Sequence, residues 1–498
     1  MSRDEVAGVV FPASADGRRS TSAVGRAVAA DALRRVDPAG ALAAEQDTNW
    51  RTGYLVHFRR LVEAGLASKD AAVSIARGGL ESVHRHMRVV HEGEETGLDT
   101  LLSAPAQRFV ATVTVPGTGE AEKELSLPYH GERLCGSTLL RRLETWADDG
   151  VIEPSCADAV RTVAAHPEWL RLPGRTVAVL GAGAEVGPLP ALLSWGAQVI
   201  AIDLPRPPIW EQLLDTARRS GGILLVPVAD DKPGRHQSEE SDQVIAQRAG
   251  LDLTSDVPSI ADWLAPVDGP LVLGNYVYAD GAANVRLAAA ADALTMRLQA
   301  GRDDVALAFL ATPTDVFAVP AQAVAQSVRA YTKRSPAAKL AGWPLQALSG
   351  GRLLRHAYMP GADPGINDSL VRQQGPNYAL AKRLHRWRAT LARHDGATVS
   401  INVAPPSRTR SVVKNRALAA AYAGAHRFGV EVFEPATCKV LMAALLVHDL
   451  HTGGGPVHAH PWQDEAHAAA HGGLWRMAYA PRSALTLAAA LGYAATRK

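Results

Sequence analysis

TVAVLGAGAEVG, residues 176–187, decides the fold. Its first five residues form an apolar, β-branched run of strand length. Gly181, Gly183 and Gly187 follow at once, ahead of PLPALLSWG (188–196), which has helical spacing. Glycines let a chain turn tightly behind a strand and approach a pyrophosphate, whose charge is then met by amides at a helix N-terminus. A second apolar strand, AQVIAIDL (197–204), ends at Asp203, about 20 residues past the middle of the turn. A carboxylate there accepts hydrogen bonds from a ribose diol and repels a 2′-phosphate. NAD is therefore the expected cofactor, and Arg206, close behind, admits NADP. S-adenosylmethionine-dependent methyltransferases share this geometry, and the turn alone does not separate the two.

The same texture continues outward. GILLVPVA (222–229), GPLVLGNYVYA (269–279), VALAFLA (305–311) and TVSINVA (398–404) are short apolar runs separated by helix-length segments. Strand and helix in alternation predict an α/β fold, a doubly wound parallel sheet covered on both faces. Upstream the pattern differs. Residues 1–20 have no period and are expected to be loose; residues 21–172 read as a mostly α-helical N-terminal domain with a β-hairpin at 108–128. The Rossmann-type domain is expected to span 173–498. VHRHMRVVHEGEE (83–95) reads as a charged, solvated helix.

Composition bounds the partners. With 498 residues, 47% apolar content and a formal charge of +2, the chain has core material for two or three units and no long-range field to attract nucleic acid or a charged membrane. Three scattered cysteines, without CxxC spacing, argue against a disulfide framework and a thiolate metal site. The longest apolar stretches are too short to cross a bilayer. A cytoplasmic protein acting on a small molecule, with no nucleic-acid or membrane partner, is the expectation.

YALAK (378–382) sets Tyr378 and Lys382 four residues apart, on one face of a helix. An ammonium beside a phenol lowers the phenol's pKa and makes it a usable acid or base. In chain order, GAGAEVG, Asp203, Asp252-Leu253-Thr254, Gly274-Asn275, YALAK, VSINVAPPSRT (399–409) and FEPATCKVLMAALLVHDL (433–450) resemble the landmarks of the short-chain dehydrogenase/reductase family, over roughly residues 174–450. The resemblance implies an NAD(P)-dependent oxidoreductase that interconverts a carbonyl and an alcohol, built as a homodimer or homotetramer. Tyr378 would be its acid/base and Lys382 the partner that holds the ribose. Thr312 would polarise the substrate oxygen, with Thr314 second in line. The cofactor would meet Gly181, Gly183, Gly187, Asp203, Asp252, Leu253, Gly274 and Asn275, and Asn284 matches the family's helix asparagine.

Two features depart from the pattern. Glu185 sits where the family's turn has a glycine. About 65 residues separate Thr312 from Tyr378, so an insertion over roughly 316–370 must loop out and return. A regulatory nucleotide-binding protein with altered chemistry is a third reading. HTGGGPVHAHPWQDEAHAAAH (451–471) reads as a His-rich loop rather than a metal site. Arg408, Arg410, Lys414 and Arg416 follow the sixth strand, where they are candidates for binding a phosphate or carboxylate.

Overall fold

The computed structural model describes residues 7–230 and 241–493. Its centre is a seven-stranded sheet. In chain order the strands are β1 (Phe109–Pro116), β2 (Thr176–Leu180), β3 (Gln198–Ile202), β4 (Ile223–Asp230), β5 (Leu271–Asn275), β6 (Val305–Ala311) and β7 (Val399–Val403). Across the sheet they run β7-β6-β5-β2-β3-β4-β1. All pairs are parallel except β1 with β4. The six parallel strands thus have the doubly wound order, and it reverses between β2 and β5. Such a reversal opens a crevice at the carboxyl ends of the strands, where ligands bind.

Each of β2, β5, β6 and β7 is buried along its whole length, which is why these runs are continuously apolar rather than alternating. On one face pack helices α1 (Thr21–Leu33), α2 (Trp50–Gly65), α3 (Lys69–His86), α5 (Ala282–Gly301) and α6 (Gly375–His394). Val28, Leu80, Leu294 and Leu384 of these helices share one core with Leu180, Leu273 and Leu307 of the sheet. The other face is covered by helices at Gly136–Asp148 and Pro154–Ala165, by the short α4 (Leu189–Ser194) and by α9 (Pro435–His451). Helices α7 (Arg410–Lys414), α8 (Arg416–Gly424) and α10 (Pro481–Tyr493) lie beyond β7 in the chain.

Several expectations are corrected. Residues 108–128 do not form a hairpin: β1 pairs with β4 in the central sheet, and Leu127–Tyr129 pairs instead with Glu132–Leu134. Alternation marks a half-buried strand but not its partner, and here the partner lies far along the chain. The N-terminal stretch is ordered where it is described. Gly8–Val10 pairs with Arg88–His91, and Val9 is buried while its N–H donates to Thr254 O at 2.8 Å. The helix expected through 83–95 stops at His86, and a tight strand pair, Arg88–His91 with Glu94–Gly97, takes over. Glu92 and Gly93 both have positive φ at the turn between those strands, the conformation two-residue hairpins favour. QSEESDQ (237–243) reads as a surface loop or insertion from its polar sequence, and its residues 237–240 lie outside the described residues.

The insertion leaves and returns through a strand pair, Val316–Val319 with Gly365–Asp368. That closure brings residues 315 and 369 together, Ser369 N–H donating to Asp315 O at 3.1 Å, so Thr312 and Tyr378 meet despite their separation in sequence. Among the described residues no helix is long and apolar enough to cross a membrane.

Candidate active site

A cleft of about 1250 Å³ opens at the reversal in strand order, larger than the usual ~300–1,000 Å³ of a small-molecule pocket. Its floor is the turn after β2. Gly181 has φ +75°, the left-handed region that glycine adopts without cost, and a Cβ there would stand 3.1 Å from Tyr276 O. At Gly183 a Cβ would stand 3.3 Å from Asp203 Oδ2, so the carboxylate lies directly against the turn. Asp203 Oδ2 accepts from Gly183 N–H and Oδ1 from Leu204 N–H, each at 2.8 Å. Burial pushes its carboxyl pKa up, against the pull of those two bonds. Each carboxylate oxygen has a second lone pair to offer a ribose hydroxyl.

The helix after the turn is shorter than the sequence suggested. It begins at Leu189, behind Pro188 and with Pro190 in its first turn, so two of the amide donors expected to face a phosphate do not exist. The turn's own amides are partly used: Ala184 N–H donates to Gly181 O and Gly187 N–H to Ala184 O. Glu185 is held across the cleft mouth. Its Oε2 accepts from Arg410 N–H at 2.9 Å and lies 3.5 Å from Arg410 Nε.

The opposite wall carries the expected acid/base group. Tyr378, Lys382, Thr312 and Thr314 all line the cleft. Thr312 and Thr314 follow β6 directly, and their hydroxyls are 2.9 Å apart. Gln374 Nε2 donates to Thr314 Oγ1 at 2.5 Å, fixing the start of α6 against this turn. Tyr378 and Thr312 line the same part of the cleft. Burial pushes the phenol's pKa up, and the Thr312 hydroxyl works the other way. The expected net depression of the phenol is therefore not what this geometry gives. Lys382 donates to Leu310 O at 3.5 Å, and burial brings its ammonium down to about 8.

Of the other expected cofactor contacts, Leu253 lines the cleft, beside Leu251. Gly187, Asp252, Gly274 and Asn275 do not, each for a local reason. Gly187 is buried at the end of the turn. Asp252 closes its own loop, its Oδ1 accepting from the N–H and the hydroxyl of Thr254 at 2.9 and 2.8 Å. Gly274 is a packing glycine inside β5, where a Cβ would stand 2.6 Å from the Tyr276 ring. Asn275 is buried and accepts from Val277 N–H at 3.4 Å. Asn284, also buried, accepts from Ala279 N–H at 3.2 Å and so anchors the loop before α5.

Residues the motif order did not single out complete the cleft. Tyr278 packs edge-on to Tyr378 with ring centroids 6.1 Å apart, and its hydroxyl donates to Asp280 Oδ1 at 2.8 Å. Tyr276 and Tyr278 stand immediately past β5 at the switch point, a position that marks them in sequence once the strand is recognised. Of the basic residues after β7, Arg410 and Lys414 reach the cleft, whereas Arg408 lies 3.7 Å from Glu434. Three histidines of 451–471 are used structurally: His458 bonds Asp464 at 2.8 Å, His460 bonds Gly65 O at 3.1 Å and His471 bonds Glu153 at 2.8 Å. Among the described residues no group of three or more His, Cys, Asp or Glu is placed to hold a metal ion.

No family model and no curated protein matches the chain. Among solved structures it is similar to a thiolation-reductase di-domain from an archaeal non-ribosomal peptide synthetase, at 12% identity and a TM-score of 0.27. That likeness spans about half of each chain, 54% of this one and 52% of the other.

Proposed function

We propose that the protein is a nicotinamide-dependent oxidoreductase interconverting a carbonyl and an alcohol, with NAD as the preferred cofactor and NADP admitted. The observation that carries this reading is the convergence of Thr312, Tyr378 and Lys382 on one wall of a cleft floored by Gly181, Gly183 and Asp203. The cleft residues fit the cofactor in outline: glycines where backbone and ligand must approach, a carboxylate with spare lone pairs, and a cation deeper in. When bound, the nicotinamide supplies or accepts the hydride.

In the reducing direction Tyr378 O–H donates its proton to the substrate oxygen as that oxygen gains charge, and Thr312 Oγ1 offers the same oxygen a hydrogen bond. The phenolate left behind is stabilised by the Lys382 ammonium, which at about 8 is still mostly charged at neutral pH. In the oxidising direction the Tyr378 phenolate would take the alcohol's proton back while Thr312 holds the same oxygen.

Thermal shifts with NAD, NADP and S-adenosylmethionine test the cofactor, and Tyr378→Phe tests the chemistry. A dinucleotide should raise Tm in both wild type and Tyr378→Phe, while the variant loses at least 100-fold in turnover of aldehydes or ketones, the usual scale of general acid–base catalysis. A shift from S-adenosylmethionine alone would replace this reading by the methyltransferase. Dinucleotide binding with no turnover of any carbonyl compound would favour the regulatory one.

A further inference from the structure

The cleft has two chemically different halves. All its charged lining residues, Glu185, Asp203, Asp280, Lys382, Arg410 and Lys414, come from the chain up to residue 414. Every described lining residue beyond 417 is uncharged. That second half is walled by α8, by α10 and by the segment around Met477. Leu418, Phe428 and Leu485 there stay only half-buried, although the protein has buried comparable side chains elsewhere. Leaving such apolar surface wet forgoes about 25 cal/mol per Å², so a chamber kept open is a cost to the folded chain.

The wall is also thin. A Cβ on Gly424 would collide with the carbonyl of Ala488, and one on Gly492 with that of Ala420, so α8 and α10 touch backbone to backbone. Ala421, Ala425, Ala484 and Ala488 face the space beside this crossing. Small side chains on two closely packed helices leave a slot instead of filling it. The slot reaches the reacting end. Tyr422 of α8 and Tyr378 line the same cleft, and burial, with the Tyr378 phenol adding to it, pushes the Tyr422 phenol up.

We propose that this slot holds the body of the substrate, so that the carbonyl presented to Tyr378 belongs to a compound with an extended, uncharged hydrocarbon portion. The inference rests on the oxidoreductase reading for the carbonyl and on the slot alone for the hydrocarbon. A polar or short substrate would leave the α8 and α10 wall wet on binding, and a charged tail would meet no counter-charge there.

Straight-chain primary alcohols from 1-butanol to 1-decanol are the probe, with binding measured by calorimetry in the presence and absence of NAD. Each added methylene should tighten Kd about three- to fourfold until the slot is filled, as burial of ~0.8 kcal/mol per CH₂ requires. Leu485→Glu places a charge in the wall and Ala425→Phe fills the slot. Both should flatten that dependence while leaving the NAD-induced rise in Tm unchanged. Affinity that does not vary with chain length in the wild type overturns the proposal, as does a dependence that survives both variants. If Leu485→Glu fails to fold, the wild-type series and Ala425→Phe still decide. A steep chain-length dependence in a protein that binds no dinucleotide would keep the slot and discard the oxidoreductase.

Discussion

Arg386 Nη1 lies 2.7 Å from Oδ2 of Asp315, and this buried pair sets Tyr378 and Lys382 against Thr312. Asp315 is three residues past Thr312, in the turn that follows β6; Arg386 is one helical turn past Lys382 on α6. Arg383 Nη2 also donates to Asp315 Oδ1 at 2.7 Å, and Glu465 takes Arg386 Nε and Nη2 at 2.5 and 2.6 Å. The carboxylate thus ties the turn that carries the threonine to the helix that carries the tyrosine. Asp315→Asn leaves two guanidinium groups short of charge in the interior, and breaking such a pair costs about 3–5 kcal/mol. Denaturant unfolding of the variant should show that loss. Turnover per folded molecule should fall as well, because Asp315 acts as a positioning residue that holds the Tyr378 helix against the turn carrying Thr312. Unchanged stability would mean that the network does not bear on the site.

The strands around the cleft were legible because a strand buried on both faces is a continuous apolar run, as TVAVL and VALAFLA are. That Asp203, Tyr378, Lys382 and Thr312 line one cleft was legible for a related reason: each sits at a fixed offset from a strand or on one helix face. Partners far along the chain were not. Phe109–Pro116 alternates as any half-buried strand does, and nothing local says that it pairs with Ile223–Asp230. Helical periodicity in 21–86 likewise shows that Val28 and Leu80 face a core, but not that the core is the one beneath β2 and β5. The α8 and α10 wall escaped notice, although Ala420/Gly424 and Ala488/Gly492, small residues four apart in each helix, carry its signature.

Lys382 should be a residue that the fold tolerates at a cost. Burial lowers its pKa from 10.5 to about 8, so the native state binds fewer protons there than the unfolded chain does. The penalty is fully present below about pH 8 and fades as pH rises to 10.5. Lys382→Met should therefore stabilise the protein at pH 7 by about 1–3 kcal/mol, after allowing for solvent around a half-buried side chain. The gap between variant and wild type should narrow above pH 8, while turnover is lost at every pH. Unfolding curves at pH 7 and pH 10 measure this, and a less stable variant at pH 7 would contradict the assignment.

Glu153 and His471 make the fold sensitive to acid. His471 Nε2 bonds Glu153 Oε1 at 2.8 Å, and its Nδ1 accepts from Gly473 N–H at 3.1 Å, a pattern that the neutral ring with its proton on Nε2 satisfies. Burial lowers the pKa of His471. Burial works against the Glu153 carboxylate too, but bonds from His471 and Arg476 outweigh it and hold the group at about 2. The unfolded chain takes up the histidine proton first as pH falls below 6.5, and then the carboxylate proton between 4.5 and 2, so both groups lower stability in acid. Glu153→Gln should cost about 3–5 kcal/mol at pH 7, because Arg476 is left buried without its partner. It should also flatten the loss of stability below pH 4.5. Acid titration of the unfolding midpoint for both proteins checks the two effects together.

Glu185 should restrain cofactor binding. Its carboxylate lies in the glycine turn and is held by the N–H of Arg410, with the Arg410 guanidinium close by. A pyrophosphate approaching that turn meets a negative charge and competes for the same arginine. At ~6 Å and an effective dielectric between that of a protein surface and bulk water, one such repulsion is worth about 1–2 kcal/mol. Glu185→Gln should tighten dinucleotide binding about 5- to 20-fold, a gain that shrinks with added salt because the group is partly exposed. Arg410→Ala should do the opposite, removing the cation while leaving the carboxylate in place. Calorimetric titration of both variants with NAD and NADP at two salt concentrations decides the matter. Equal affinities in wild type and Glu185→Gln would show that the dinucleotide phosphates do not pass near this turn, and the assignment of Gly181 and Gly183 as its floor would fall with them.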